Sequence, residues 1–209
     1  MVYKKEQYMK HLIQIGANNG NDHVSKFIKN KEYKCILVEP NPFVFKQLLN
    51  HYNNCSDFIF ENIAISTFNG MIAIFFNDID DINGSEHSSV SLDHLYKHGH
   101  TLNRNITPKE IICTTLTDLI IKHNWQNIEI DYLFIDTEGH DCDIILNTDF
   151  SKMYIKTITF EIAHSDGPFT KGQKLENTKK HLCSFGYKEI NGIDIFGTSM
   201  GDISFTMEN

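Results

Sequence analysis

The apolar run Leu12-Ile13-Gln14-Ile15 stops at Gly16, and a helix-compatible pattern begins near Asp22. A β-branched run, a glycine turn and an acidic helix start, in that order, mark a strand passing into a helix across a tight loop. The unit recurs along the chain. A strand at about 11 to 16 leads to a helix over about 22 to 30, then a strand at 34 to 39, then a helix from Pro42 to about Tyr52, with Pro42 suited to a first helical turn. Further on, strands at 131 to 136 and 156 to 163 are followed by helices over about 140 to 147 and 172 to 185. Such alternation predicts an α/β fold: a mostly parallel central sheet with right-handed crossovers, flanked by helices, and binding ligands beyond the carboxyl ends of its strands. Two terminal strands, near 187 to 196 and 202 to 207, have no helix between them, so one of them is expected to run antiparallel.

The alternation lapses in the middle. Runs from Phe58 to Ser66 and Met71 to Phe76 are joined by Thr67-Phe68-Asn69-Gly70, and Asn-Gly predicts a local antiparallel hairpin. A short strand over 111 to 116 and a helix over 116 to 123 follow. Between Asn77 and Glu110 lies a polar stretch too long for an ordinary connection, which is expected to serve as a lid or substrate loop. Its His87, His94, His98 and His100 have no carboxylate or thiolate partner at ligand spacing, so they are expected to be solvated loop histidines.

Length and charge narrow the function. A chain of 209 residues is expected to form one domain with a sizeable core. A net charge of −8 with scattered basic residues opposes an extended nucleic-acid footprint. Cys35, Cys55, Cys113, Cys142 and Cys183 form no C-x-x-C pair and are expected to be free thiols. Neither a membrane-length apolar run nor a secretory h-region is evident, so a cytoplasmic location is expected.

The glycine spacing of the first loop selects a ligand class. A dinucleotide fingerprint requires a middle glycine where a pyrophosphate approaches, and Asn18 occupies that place. Gly16 and Gly20 instead frame a wider G-x-x-x-G turn, which suits S-adenosylmethionine. Glu39 follows Cys35-Ile36-Leu37-Val38 at a strand end, where a carboxylate can accept both ribose hydroxyl protons. Gly16, Ala17, Asn18 and Gly20 are therefore candidates for the methionine end, and Glu39 for the ribose.

A second cluster, Phe134-Ile135-Asp136-Thr137-Glu138-Gly139-His140-Asp141, lies where another parallel strand opens into a loop. Carboxylates beside a buried strand are costly unless paired or at work. Asp136 continues the strand and reads as functional, whereas Asp141 reads as an acidic helix start. Glu161 and His164, after Phe160, are placed to face Asp136 across neighbouring strand ends.

Taken together, the loop from Ile13 to Asp22, Val38-Glu39-Pro40-Asn41, Glu61-Asn62-Ile63-Ala64-Ile65-Ser66 with Asn69-Gly70, Thr114-Thr115-Leu116-Thr117-Asp118-Leu119, Ile135-Asp136-Thr137-Glu138-Gly139-His140-Asp141 and Phe160-Glu161-Ile162-Ala163-His164 resemble, in order and spacing, the FkbM-type methyltransferases. The resemblance spans about Leu12 to Tyr187. It implies a Rossmann-like methyltransferase fold, S-adenosylmethionine as donor, and O-methylation of a sugar, glycan or small-metabolite hydroxyl. One departure is that Gln14 stands where the family commonly has an acid, removing a charge that would favour the cofactor's ammonium. Asn62, Ile63 and Ala64 are expected to flank the adenine, and Asp136 to sit beside the methionine end or the acceptor. An alcohol acceptor must lose a proton to a positioned base, for which Asp136, His140, Glu161 and His164 are the candidates, with His164 preferred because imidazole titrates near working pH. A divalent cation such as magnesium, held by Asp136, Glu161 and His164, is a second means of acidifying the hydroxyl. The rival readings are an NAD-dependent oxidoreductase or epimerase and a catalytically silent methyltransferase fold kept as a binding subunit.

Overall fold

The computed structural model describes residues 9–28, 33–76, 88–97, 106, 108–190 and 201–207. Its main sheet contains β1 (Lys10–Ile15), β2 (Tyr33–Val38), β3 (Phe58–Glu61), β7 (Glu129–Ile135), β8 (Tyr154–Glu161), β9 (Tyr187–Glu189) and β10 (Asp202–Met207), in the order β3-β2-β1-β7-β8-β10-β9. The first five of these positions pair in parallel, and β10 runs antiparallel to both β8 and β9. The fold is a Rossmann-like methyltransferase fold, and the antiparallel strand expected at its C-terminal end is β10.

The side-chain period of two sorts the central strands onto two cores. Ile13 and Ile15 of β1, Ile36 and Val38 of β2, and Leu133 and Ile135 of β7 point to one face. There they meet Leu119 and Ile120 of α4 (Leu116–Lys122), Ile144 and Ile145 of α5 (Asp141–Leu146) and Leu182 of α6 (Gln173–Ser184). Leu12, Cys35, Leu37 and Phe134 point to the other face, against Val24 and Ile28 of α1 (His23–Ile28) and Leu48 of α2 (Pro42–His51). Covered on both faces, these strands need near-continuous apolar sequence, which is why they are legible as runs. The helix start at Pro42 also holds: Asn41 caps α2 by accepting from the Phe43 N–H at 3.0 Å.

The central hairpin does not form. The run from Phe58 divides into β3, in the main sheet, and β4 (Ala64–Ile65), and β6 (Pro108–Thr114) inserts between β4 and β5 (Gly70–Phe75) to make a second, three-stranded sheet. Asn69 explains the change. Its side chain accepts from Thr114 Oγ1 at 2.8 Å and the Thr115 N–H at 3.2 Å and donates to Asp118 at 2.8 Å, so the Asn-Gly corner is tied to the end of β6 instead of closing a two-strand turn.

Of the long polar stretch, the described part includes α3 (Leu92–Lys97) and Ser89, which pairs with Phe75. His87, His98 and His100 lie outside the described residues, as do much of the expected strand after Glu189 and the end of the helix after Ile28. No helix among the described residues is long and apolar enough to cross a membrane.

Candidate active site

A cleft of about 310 Å³ opens at the carboxyl ends of β1, β2 and β7. The strand order reverses at β1, since β2 and β3 extend to one side and β7 and β8 to the other. Crevices of open α/β sheets form at such a switch point. Gln14, Gly16, Asn18, Asp22, Glu39, Ile63, Ala64, Asp136, Glu138 and Asp202 are among the residues that line it.

The glycine turn is fixed by close backbone approach. The N–H groups of Gly16 and Ala17 both donate to the Val38 carbonyl, at 3.0 and 2.9 Å, and Gly16 has φ +80°. A Cβ at Gly16 would lie 1.7 Å from the Asp136 carbonyl oxygen, so no side chain fits between β1 and β7 here. A Cβ at Gly20 would meet the Tyr52 ring at 2.8 Å, and Gly20 donates to the Ala17 carbonyl. Gly20 and Ala17 thus shape the turn from behind the cleft wall, whereas Gly16 and Asn18 form that wall.

Glu39 is buried, with Oε1 accepting from the Asn41 N–H at 2.8 Å and Oε2 from the Asn18 N–H at 2.9 Å. Burial pushes its carboxyl up to about 7 although both hydrogen bonds pull it down. Asn62 donates to the Glu39 and Pro40 carbonyls at 2.8 and 3.2 Å, which makes it a brace for this loop, while its neighbours Ile63 and Ala64 reach the cleft. Gln14, almost fully buried, donates to Asp22 Oδ2 at 2.6 Å. A carboxylate therefore sits beside Gln14 even though Gln14 carries none.

The second half of the site is an acidic patch at the ends of β7, β8 and β10. Asp136 is exposed to the open cleft, and the protein packed around it together with the carboxylates of Glu138, Asp141, Asp202 and Asp22 raises its carboxyl above the usual range. Glu161 lies opposite Asp202 in the β8–β10 register, and its carboxyl is pushed up to about 10 by burial and then by Asp136, Glu138, Asp141 and Asp202. Asp141 does start α5, as expected, but it also braces the patch. Its buried carboxylate accepts from the Thr137 N–H and hydroxyl and from the Glu161 N–H, and burial raises its pKa to about 6.

His94 is not a solvated loop histidine. It is 1 % exposed, its Nε2 lies 2.8 Å from Glu138 Oε2, and its ring meets that of His164 edge-on at 4.3 Å. Helix α3 brings it there, a tertiary placement that residue spacing could not signal. His94, Glu138 and His164 hold possible ligand atoms within 4.8 Å of one another. However, His164 Nδ1 accepts from the Phe169 N–H at 3.0 Å, which puts the neutral ring's proton on Nε2, towards Glu161 at 3.4 Å. A metal-bound imidazole ordinarily donates its second ring N–H, so this tautomer gives no support to a divalent cation at His164, in this set or in the one expected from sequence.

Of the expected catalytic candidates, the structure brings Asp136 to the cleft. Glu161 and His164 stand behind it, and His140 is turned towards Ser66 at 3.2 Å and Asp143 at 3.5 Å. Sequence reasoning passed over Asp202 and Ser89, which reach the site through β10 and the long polar stretch, and Asp22, which was visible in the loop itself.

The sequence profile of the Methyltransferase FkbM domain matches residues 14–189. The chain belongs to that family. Among curated proteins none matches this FkbM-family chain significantly. Among solved structures, the human methyltransferase 10 domain containing protein is similar over 100 % of this chain and 76 % of its own, with 8 % identity and a TM-score of 0.50. The METTL16 MTase domain is similar over 99 % of this chain and 63 % of its own, with 10 % identity and a TM-score of 0.50. At these identities the likeness is one of fold.

Proposed function

We propose that this FkbM-family chain is an S-adenosylmethionine-dependent methyltransferase that methylates a hydroxyl oxygen of a sugar, glycan or small metabolite. The observation that carries the reading is the convergence, in one cleft, of the Gly16 turn, the Glu39 carboxylate, the apolar pair Ile63 and Ala64, and Asp136, each from a different strand end or loop. The residues fit the cofactor: a polar turn for an amino-acid end, a carboxylate for a ribose, an apolar edge for a base, and acidic groups for a ligand carrying positive charge. Bound S-adenosylmethionine supplies a methyl group already activated by its sulfonium.

What remains for the protein is positioning, exclusion of water and removal of one proton. Gly16 and Asn18 bind the methionine end and Glu39 orients the ribose. Asp136 receives the acceptor's hydroxyl proton on its carboxylate, the only one of the four expected bases on the cleft wall among the described residues. A carboxyl with an elevated pKa is the better base near neutrality. Glu161, protonated behind Asp136, withholds a further negative charge from the patch, and His164 Nε2 lies 3.4 Å from it. Small-molecule or glycan acceptors suit the small cleft with its acidic wall, and an extended nucleic-acid partner does not suit a chain of net charge −8.

Calorimetric titration with S-adenosylhomocysteine and, in parallel, NAD is expected to show binding of the first alone. Transfer of labelled methyl from S-adenosylmethionine to a panel of glycans and hydroxylated metabolites, with the product's C–O–CH3 linkage located by NMR, then tests the acceptor class. Binding of NAD in preference to the homocysteine nucleoside overturns the cofactor assignment. Methylation at nitrogen or carbon overturns the hydroxyl assignment.

A further inference from the structure

One of the cleft's carboxylates pairs with no cationic side chain among the described residues. Asp22 lines the wall beside Gly16. Its Oδ1 caps α1 by accepting from the Ser25 N–H at 2.7 Å, and its Oδ2 accepts from Gln14 Nε2 at 2.6 Å. Both donors are neutral, and among the described residues no lysine, arginine or histidine forms an ion pair with it. The two hydrogen bonds fix the carboxylate's orientation and leave lone pairs on both oxygens for a ligand. Helix capping alone does not account for this geometry. Serine or asparagine would cap as well, and neither would place a negative charge close enough to Asp136 to raise its pKa.

We propose that Asp22 is the residue that binds the α-ammonium of the cofactor's methionine end, with Gln14 acting as its positioning residue. The inference rests on the S-adenosylmethionine reading above. The charge that Gln14 lacks is supplied from the helix side of the same loop, and the amide of Gln14 holds it in place at almost no exposure. A charge-assisted hydrogen bond formed in a partly desolvated cleft discriminates strongly for a cationic donor.

The test compares two probes, S-adenosylhomocysteine and its analogue in which the α-amino group is replaced by hydrogen, titrated calorimetrically into the wild type, Asp22→Asn, Asp22→Ser and Asp136→Asn. The Asp22 variants retain a capping side chain, and unfolding midpoints near that of the wild type establish that α1 is intact. Wild type is expected to prefer the amine-bearing probe by about tenfold to a hundredfold, and both Asp22 variants to lose most of that preference by weakening the amine-bearing probe alone. Undiminished preference in the Asp22 variants overturns the proposal, as does its collapse in Asp136→Asn instead. Failure of the wild type to bind either probe overturns the cofactor reading itself.

Discussion

The two halves of the cleft treat their carboxylates differently. On the β1–β2 side each acid is engaged by donors: Glu39 by the Asn18 and Asn41 N–H groups, Asp22 by Ser25 and Gln14. On the β7–β8–β10 side Asp136 and Glu161 lie among the carboxylates of Glu138, Asp141 and Asp202, with His94 beside Glu138 and His164 beside Glu161, and Glu161 Oε2 is buried without a hydrogen-bond partner. Donated hydrogen bonds pull a buried carboxyl's pKa down, as at Glu39, whereas neighbouring carboxylates push it up, as at Glu161. On the proposed reading, the first side holds the cofactor and the second takes up the acceptor's proton.

The largest expected effect comes from the seam between the halves. Gly16→Ala places a Cβ against the Asp136 carbonyl at a φ that L side chains rarely adopt, so β1 and β7 must separate. Soluble expression or cooperative unfolding is expected to be lost, as read by circular dichroism melts. A variant that folds and binds S-adenosylhomocysteine normally would show that the two halves are less tightly coupled than the close approach implies.

Next in size are changes that separate recognition from proton transfer. Glu39→Ala is expected to weaken S-adenosylhomocysteine by about tenfold or more, measured by calorimetry. Asp136→Asn is expected to lower methyl transfer to a responsive acceptor by about a hundredfold or more, with a much smaller change in cofactor affinity. Equal losses of affinity in both variants would erase the contrast between the halves.

The acidic side also predicts a stability profile. Folded Glu161 keeps its proton up to about 10, whereas the unfolded chain releases it near 4.5. Between those values the native state binds more protons, so this group makes stability fall as pH rises. Glu161→Gln is expected to melt above the wild type at pH 8, with the gap closing towards pH 5. A gap independent of pH would mean that Glu161 is ionised in the fold. The smallest effect is expected at Asn62→Ala, which removes a brace from the Glu39–Pro40 carbonyls and is expected to weaken S-adenosylhomocysteine only a few-fold.

The first half of the cleft was legible because its parts are close in sequence. A strand, Gly16, Asn18 and Asp22 fall within one loop, and Glu39 ends the next buried run. The second half was legible only in outline, since Asp136 and Glu161 end recognisable strands while Asp202, which raises both carboxyls, arrives from β10 and His94, which meets Glu138, from α3. The hairpin expectation failed for the same reason: Asn69-Gly70 is a local signal, and β6, distant in sequence, competed for the same strand edges.

By itself, the sequence determined the alternation of strands and helices, the glycine turn at the end of β1 and the acidic strand ends, because periodicity, turn chemistry and burial of apolar runs act over a few neighbouring residues. Tertiary structure alone decided which strand lies between β4 and β5, that His94 is buried against Glu138 and His164, and that a neutral Gln14 holds the charged Asp22. Those outcomes depend on desolvation and on hydrogen bonds between groups brought together by the fold, and neither quantity exists until the chain has folded.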